Sequence, residues 1–368
     1  MEDVLWVAIG VVLVASVLAD MINTLVTTTN SSWNWWLTRI LYRRTWSLTQ
    51  TVGRVIKNET KRERFYSVFA PLSILLMLAS WVAQQIVGFA LIWWGLGDLS
   101  GADGFVDSLY YSGVVFFTVG FGEVVPIEDV GRFGALIEAF FGVLTVALVI
   151  GYIPALYSAY SAREQKLLTL DDGTEERITP TNLVLSQCPN ADPERLEDFF
   201  KEWEAWVAHV LETHVTFPML SLFRSQHPGQ SWITALGLVT DAALHMELIE
   251  GQQAKSAYWL IRRSARLLHA LTEGADISEY RAQLDEGYES SNEELFRELY
   301  DTLEGHGFTM IPFEEAVVHS QELRRTYDAH LEFLIDRLEA PRGFWGHEVG
   351  HKLRSFANEG APEERWRG

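Results

Sequence analysis

One short run of residues has the composition of a cation-binding backbone segment. The run is Thr118-Val119-Gly120-Phe121-Gly122-Glu123. Two glycines separated by one residue can adopt backbone angles that are closed to other residues, so successive carbonyl groups can point to one side. A row of such oxygens repeated around a symmetry axis can replace the water shell of a desolvated cation. The alternative is a glycine turn between a helix and a loop, so the flanking elements must decide between the two.

The elements that flank this run are apolar segments of membrane-spanning length. Residues 4–26, 67–96 and 133–160 each reach the roughly 20 residues that a spanning helix needs. Residues 105–117 are too few to span and too apolar for a surface loop. Such a piece is tolerated at membrane depth only when it is packed within protein. The pattern therefore predicts a half-helix that enters the membrane and returns through the glycine run.

The distribution of Lys and Arg predicts how the chain is oriented. Basic residues are concentrated between the first and second spans, at Arg39, Arg43, Arg44, Arg54, Lys57, Lys61, Arg62 and Arg64. The positive-inside rule predicts that this loop lies on the cytoplasmic side of a plasma membrane. Apolar side chains interleave with the cations, so we expect part of the loop to lie along the inner membrane face as an amphipathic helix. The N-terminus is then outside, and the chain enters the cytoplasm after the third span.

The segment from Phe105 to Pro126, followed by Gly131-Arg132, resembles the pore region of potassium channels. More specifically, it is similar to the two-helix pore module of bacterial channels, over about residues 67–160. The resemblance implies a homotetramer in the lipid bilayer that conducts potassium ions without a cofactor and is not an enzyme. It also implies roles for single residues: Thr118, Val119, Gly120, Phe121 and Gly122 as the ion-binding selectivity filter, Glu123 and Asp107 at the outer mouth, and Gly142 as a gating hinge.

Several residues depart from the family pattern or allow two interpretations. Phe121, Glu123 and Phe117 replace a commoner Tyr, Asp and Thr, which affects the strictness of potassium selectivity. Gly142 is either the hinge or a site of close helix packing. Glu138 either faces the pore or pairs with a neighbouring subunit.

Asp20 is a further residue whose role the sequence leaves open. It is either a partnered carboxylate within the first span or, near the end of that helix, a residue at headgroup level.

The remainder of the chain is acidic and helical in pattern. The first 160 residues carry 9 Lys+Arg and 12 Asp+Glu, and the others carry 20 and 37, which argues against nucleic acid as a partner. Apolar residues recur at helical spacing around 196–210, 231–249, 254–271, 292–303 and 323–338. No glycine-rich dinucleotide motif is present. We expect a helical domain that assists assembly of the tetramer; sensing of a ligand and docking to a partner are the alternatives.

These patterns predict an all-α membrane protein with a potassium-channel-like pore and a soluble α-helical domain. The expected parts are an N-terminal transmembrane helix (1–29), a basic interfacial segment (30–66), a pore module (67–162, with outer helix 67–96, pore helix 105–117, filter 118–122 and inner helix 132–160), a cytoplasmic helical domain (163–357) and a disordered tail (358–368).

Two further features, a histidine motif and the single cysteine, are less specific indications of function. His347-Glu348-Val349-Gly350-His351 matches the H-E-x-x-H pattern of zinc hydrolases, although two histidines on a surface helix is the simpler interpretation. If it bound zinc, the protein would be a membrane-anchored hydrolase; a non-conducting scaffold or sensor is a third alternative. The single cysteine, Cys188, excludes an intrachain disulfide and fits a reducing compartment.

Overall fold

The computed structural model describes residues 2–25, 36–170, 178–187, 193–225, 230–251, 255–289 and 293–341, and it is almost entirely helical. The helices are α1 (Glu2–Leu25), α2 (Trp36–Val55), α3 (Glu59–Leu96), α4 (Phe105–Phe116), α5 (Asp129–Leu167), α6 (Pro180–Gln187), α7 (Pro193–Thr216), α8 (Trp232–Glu247), α9 (Lys255–Leu271), α10 (Ser278–Glu289), α11 (Glu293–Gly305), α12 (Phe313–Arg324) and α13 (Asp328–Leu338). Two short strands, β1 (Leu99–Ser100) and β2 (Val125–Pro126), pair antiparallel.

The chain divides into two compact units, residues 1–160 and 161–368, where the composition also changes. In the first unit, α1, α3 and α5 each contain a stretch long and apolar enough to cross a membrane. The protein is therefore an all-α membrane protein, as the sequence predicts. Apolarity marks only the part of a helix suited to lipid, and for this reason α3 and α5 begin earlier than expected, at Glu59 and Asp129.

Helix α1 packs closely along α3 through glycines. A Cβ atom added at Gly10 would lie 2.4 Å from the carbonyl oxygen of Gly88, and one added at Gly95 would lie 2.6 Å from that of Asp3. The two helices therefore run antiparallel with their backbones in near contact. Small residues allow this approach, and dispersion contacts between close backbones favour helix pairing in lipid.

Asp20 of α1 has a partner within the protein. Its carboxylate is buried and accepts a hydrogen bond of 2.8 Å from the Trp81 indole nitrogen of α3. This contact supports the interpretation of Asp20 as a partnered carboxylate. It satisfies the general requirement that an ionisable group in an apolar segment has a bonding partner.

Helix α2 packs on the first part of α3 and leaves an apolar stripe exposed. The Trp46 ring lies 4.9 Å from that of Phe69 between centroids. Leu48, Val52 and Val55, which recur at helical spacing, are exposed. This arrangement fits the predicted amphipathic helix, and its position along a membrane face stays a prediction.

The second unit is built around α8. Every residue from Trp232 to Met246 is buried, so this helix is enclosed on all sides. Helices α7 and α9, which the sequence predicts, contribute buried residues such as Trp203 and Leu260 to the same core. Helices α6, α10 and α12 are additional to the prediction.

The predicted helix over 323–338 is wrong as one continuous element. The chain turns between α12 and α13, where the Tyr327 amide donates to the Arg324 carbonyl oxygen at 3.0 Å. The turn lets both side chains reach one carboxylate: Tyr327 donates to Asp241 at 2.5 Å, and the Arg324 guanidinium lies 3.1 Å from it. A buried charge needs such pairing, so tertiary contacts override the helical spacing.

Arg163 is a fully buried cation in the second unit. Its guanidinium donates to the carbonyl oxygens of Leu220 at 2.8 Å and Phe223 at 2.7 Å, and it lies over the Trp232 ring. It also bonds to His214 at 3.2 Å. The His214 Nδ1 atom donates to the Val210 carbonyl oxygen at 2.8 Å, so Nε2 accepts from Arg163.

His245 of α8 is buried without a hydrogen bond. Within the described ranges, neither ring nitrogen has a hydrogen-bond partner. Burial, followed by the charge of Arg324, lowers the pKa of His245 to about 3. The histidine therefore stays neutral in the folded protein at pH values where the unfolded chain, with a pKa of about 6.5, binds a proton. Stability from this residue is present above about pH 6.5 and is lost as pH falls toward the folded pKa.

Replacement of His245 by Leu is expected to raise the free energy of unfolding by about 1 kcal/mol, because an unbonded buried polar group is removed. The variant should also lose less stability than wild type between about pH 7 and about pH 5, by up to about 2 kcal/mol. Chemical denaturation of the full chain in detergent at both pH values measures both effects.

His214→Leu is the matched control, since it removes a buried histidine that does have hydrogen bonds. That variant should be less stable than wild type at about pH 7. Equal destabilisation by both substitutions would contradict the assignment of His245 as an unbonded group.

Candidate ion-binding site

The glycine run begins directly at the end of α4. The Thr118 amide donates to the Val115 carbonyl oxygen, and the Val119 amide donates to that of Val114, both at 2.9 Å. The last carbonyls of a helix have no partner within the helix, and here the first residues of the run satisfy them. The position of the run is therefore set by the final turn of α4.

The backbone of the run alternates in handedness. Thr118, Gly120 and Gly122 have φ values of 56°, 64° and 89°, whereas Val119 and Phe121 between them do not have positive φ. Such alternation is the conformation in which consecutive carbonyl groups can face the same side, and glycine adopts it without strain. Thr118 carries a side chain in this region, which costs about 1–2 kcal/mol. Strain of this kind is typical of functional sites.

The run and the neighbouring face of α5 are exposed in the single chain. Phe117, Val119 and Phe121 are 57%, 51% and 69% exposed. Further exposed apolar side chains recur at helical spacing along α5, at Phe133, Leu136, Ile137, Phe140, Val143, Val146 and Ile150. A contiguous apolar surface of this extent indicates contact with lipid or with other protein chains.

The two acidic residues predicted at the outer mouth have different surroundings. Glu123 is the last residue of the run, and its carboxylate accepts a hydrogen bond from the Tyr110 hydroxyl of α4. The Asp107 carboxylate accepts a bond of 2.9 Å from the Asp103 amide and lies in the first turn of α4. Glu123 is thus tied to the helix that carries the run, whereas Asp107 stabilises the start of that helix.

Asp98 links the C-terminal end of α3 to the N-terminal end of α5. Its carboxylate accepts a bond of 2.9 Å from the Glu128 amide, directly before α5 begins. A Cβ atom added at Gly131 would lie 1.9 Å from the second Asp98 oxygen. A glycine is therefore required at 131, which explains this member of the Gly131-Arg132 pair.

Glu138 has its bonding partners in its own chain. Neither position predicted from the sequence, facing the pore or pairing with a neighbouring subunit, describes these surroundings. The residue is fully buried and accepts a bond of 2.7 Å from the Trp93 indole nitrogen of α3. Its other carboxylate oxygen contacts the Ser112 hydroxyl of α4. Two turns further along α5, Thr145 accepts a bond of 3.0 Å from the Gln85 amide of α3.

Gly142 is a point of close contact between α5 and α4. A Cβ atom added there would lie 2.1 Å from the Phe116 carbonyl oxygen. Helix α5 continues through this position without interruption. The geometry favours the packing interpretation of Gly142, while its role as a gating hinge stays a prediction.

The part of the chain that the structure describes has no candidate metal site. Those residues contain no group of three or more His, Cys, Asp or Glu side chains arranged to hold a metal ion. The predicted zinc candidates His347, Glu348 and His351 lie outside the described residues, as do Cys188 and the tail 358–368.

Four side chains that join the elements around the run are not identified by the sequence: Tyr110, Ser112, Trp93 and Asp98. A hydroxyl or indole in an apolar helix is a signal for an interhelical hydrogen bond. The partner of each group depends on the register between helices, which spacing within one helix does not contain.

Comparison with known proteins places the first unit among channel sequences. Residues 73–158 match a family described as ion channel. The uncharacterized membrane protein YdjJ of Bacillus subtilis (strain 168) is 25% identical over 186 residues, which are 48% of this chain and 52% of that protein. Protein LctB of Bacillus caldotenax is 33% identical over 94 residues, 22% of this chain and 69% of that protein. Protein LctB of Geobacillus stearothermophilus is 32% identical over 93 residues, with the same coverage of both proteins.

The chain thus spans about half the length of YdjJ. No solved structure matches it significantly.

Gly142→Ala is expected to lower the stability of the purified protein by about 1–3 kcal/mol, because the added methyl group overlaps backbone that cannot rotate away. Thermal unfolding in detergent measures the loss.

Gly151→Ala is the control on the same helix, since no atom lies within 4 Å of the added Cβ. It should be neutral or slightly stabilising, because Ala is the better helix former. Indistinguishable behaviour of the two variants would refute the close contact at Gly142.

Proposed function

The chain belongs to the ion-channel family through residues 73–158, and on this premise we propose that it is a potassium-selective channel. Potassium ions pass down their gradient through a filter of backbone carbonyls at Thr118, Val119, Gly120 and Phe121, with Gly122 completing the segment. Potassium is the permeant ion, and the channel needs no cofactor and is not an enzyme.

The alternating backbone of the filter residues carries this proposal. Positive φ at positions 118, 120 and 122 gives the conformation in which a row of carbonyl oxygens can line one side of the segment. Carbonyl dipoles coordinate a cation without adding net charge, so the ion can bind and still leave. Phe117, Phe121 and Glu123 alter the supports of the filter, and they bear on how strictly sodium is excluded.

The channel is proposed to be a homotetramer in the lipid bilayer. One chain supplies one filter segment, and a ring of carbonyls requires copies around a symmetry axis. The exposed apolar side chains of Phe117, Val119 and Phe121 and the exposed face of α5 support burial between copies. Glu123, and Asp107 more weakly, concentrate cations at the outer mouth.

Orientation and the second unit complete the proposal. The basic residues between α1 and α3 favour a plasma membrane location with the N-terminus outside and residues 163–357 in the cytoplasm. The net charge of -20 disfavours nucleic acid as a partner. The helical second unit assists assembly and influences the pore.

Reconstituted vesicles test the proposal directly. Purified protein should support uptake of rubidium or potassium and give a reversal potential that favours potassium over sodium under bi-ionic conditions. Absence of flux removes the channel assignment, whereas equal passage of sodium removes only the selectivity assignment.

Gly120→Ala should reduce potassium flux at least about tenfold without preventing assembly. An alanine at φ 64° costs about 1–2 kcal/mol in each copy, and relief of this strain turns the carbonyl away from the ion. Flux per tetramer, with assembly checked by size-exclusion chromatography, measures the effect.

Gly113→Ala in α4 is the matched control, because no atom lies within 4 Å of the added Cβ and the residue is helical. It should conduct like wild type. Normal conduction in Gly120→Ala would show that the filter lies elsewhere.

A further inference from the structure

Glu138 sits where the three helices around the filter meet. Its two carboxylate oxygens bond to Trp93 of α3 and Ser112 of α4, and all three side chains are buried. The Trp93 ring also packs edge-on against Tyr111 of α4, with 5.3 Å between centroids. A carboxyl group in an apolar segment is costly, so its full set of partners indicates a specific task.

Two contacts fix how α4 and α5 are aligned along each other. Ser112 meets Glu138, and one turn later the Phe116 carbonyl oxygen meets Gly142. The residue numbers increase together, so the helices run in the same direction with a defined register. The hydrogen bond prevents sliding, and the close contact at Gly142 sets the distance between the helices.

The register at these contacts is passed directly to the filter. The carbonyl groups of Val114 and Val115, which lie between Ser112 and Phe116, accept the amides of Val119 and Thr118. Rotation or translation of this turn of α4 therefore moves the first residues of the filter by the same amount. An error of about 1 Å is large for a site that must replace the water shell of an ion.

Ser112 of α4 reaches both α3 and α5 through one hydroxyl group. The Ser112 hydroxyl has one hydrogen but faces two acceptors, the Ile86 carbonyl oxygen at 2.8 Å and the Glu138 carboxyl. The two contacts coexist when the single hydroxyl hydrogen is shared between both acceptors, or when the Glu138 carboxyl carries a hydrogen and donates it to Ser112. Trp93 donates to the other carboxyl oxygen.

We propose that Glu138, through its bonds to Ser112 and Trp93, is a positioning residue that sets the geometry of the filter. It acts through α4 and does not contact the permeating ion. The effect on selectivity rests on the potassium-channel function proposed above, whereas the effect on α4 does not.

Substitutions at 138 separate hydrogen bonding from charge. Glu138→Gln retains an acceptor for Trp93 and a donor for Ser112, so it should keep the potassium-to-sodium permeability ratio of wild type. Glu138→Leu removes both bonds of Glu138, and Ser112→Ala removes the bond to Glu138 together with the Ser112–Ile86 bond. Both variants should lower the permeability ratio about tenfold or more.

Asp20→Leu is the matched control, because it breaks a carboxylate–indole bond of the same kind between α1 and α3 that does not include α4. This variant should lower thermal stability and leave the permeability ratio unchanged. A decrease in the ratio as large as in Glu138→Leu would reduce Glu138 to a general stabilising role and overturn the proposal.

Hydrogen exchange provides a readout that is independent of conduction. In Glu138→Leu and Ser112→Ala, but not in Glu138→Gln or Asp20→Leu, amides in the peptide spanning about residues 109–122 should exchange about tenfold faster by mass spectrometry. If wild type does not conduct but this pattern holds, the channel function fails and the positioning role stands. Unchanged exchange in Glu138→Leu and Ser112→Ala, or a Glu138→Gln variant that behaves like Glu138→Leu, overturns the proposal.

Discussion

The structure of the first unit depends on one constraint: backbone polar groups at membrane depth must be satisfied within the protein. Helix α4 ends after only 12 residues, and its last carbonyls would be costly to leave in hydrocarbon. Thr118 and Val119 turn back and donate to two of them, so the same bonds close the helix and start the glycine run. The short helix and the glycine run are therefore one structural solution.

The helices that enclose α4 are joined by polar pairs and small residues. Lipid tails are as apolar as the side chains of a spanning helix, so burial of apolar surface gives little drive for helix association in a membrane. Asp20 with Trp81, Gln85 with Thr145, and Trp93 with Glu138 link α3 to its neighbours at successive levels. Glycines bring the backbones close at the same interfaces. Helix α3 is therefore the support common to α1, α4 and α5.

The sequence predicts the elements well, because they follow from local properties. Length and apolarity locate α1, α3 and α5, and the paired glycines locate the segment with alternating backbone handedness. Contacts between elements follow from register, which the sequence alone does not supply. For this reason the partners of Glu138 and the close approach at Gly142 are visible only in the structure. The break between α12 and α13 is a further case, since Asp241, which lies distant in sequence, draws Arg324 and Tyr327 together.

The bond between Asp20 and Trp81 has a consequence for how the chain is made. Helix α1 leaves the ribosome before α3, and until Trp81 arrives its carboxylate has no indole partner. An Asp within a spanning helix disfavours entry into lipid by up to about 2.5–3.5 kcal/mol, and the bond from Trp81 offsets part of this cost. The antiparallel α1–α3 pair makes this bond, so the two helices are expected to leave the translocation machinery together as a hairpin. A contact between residues 61 positions apart is thus expected to couple the membrane insertion of the two helices.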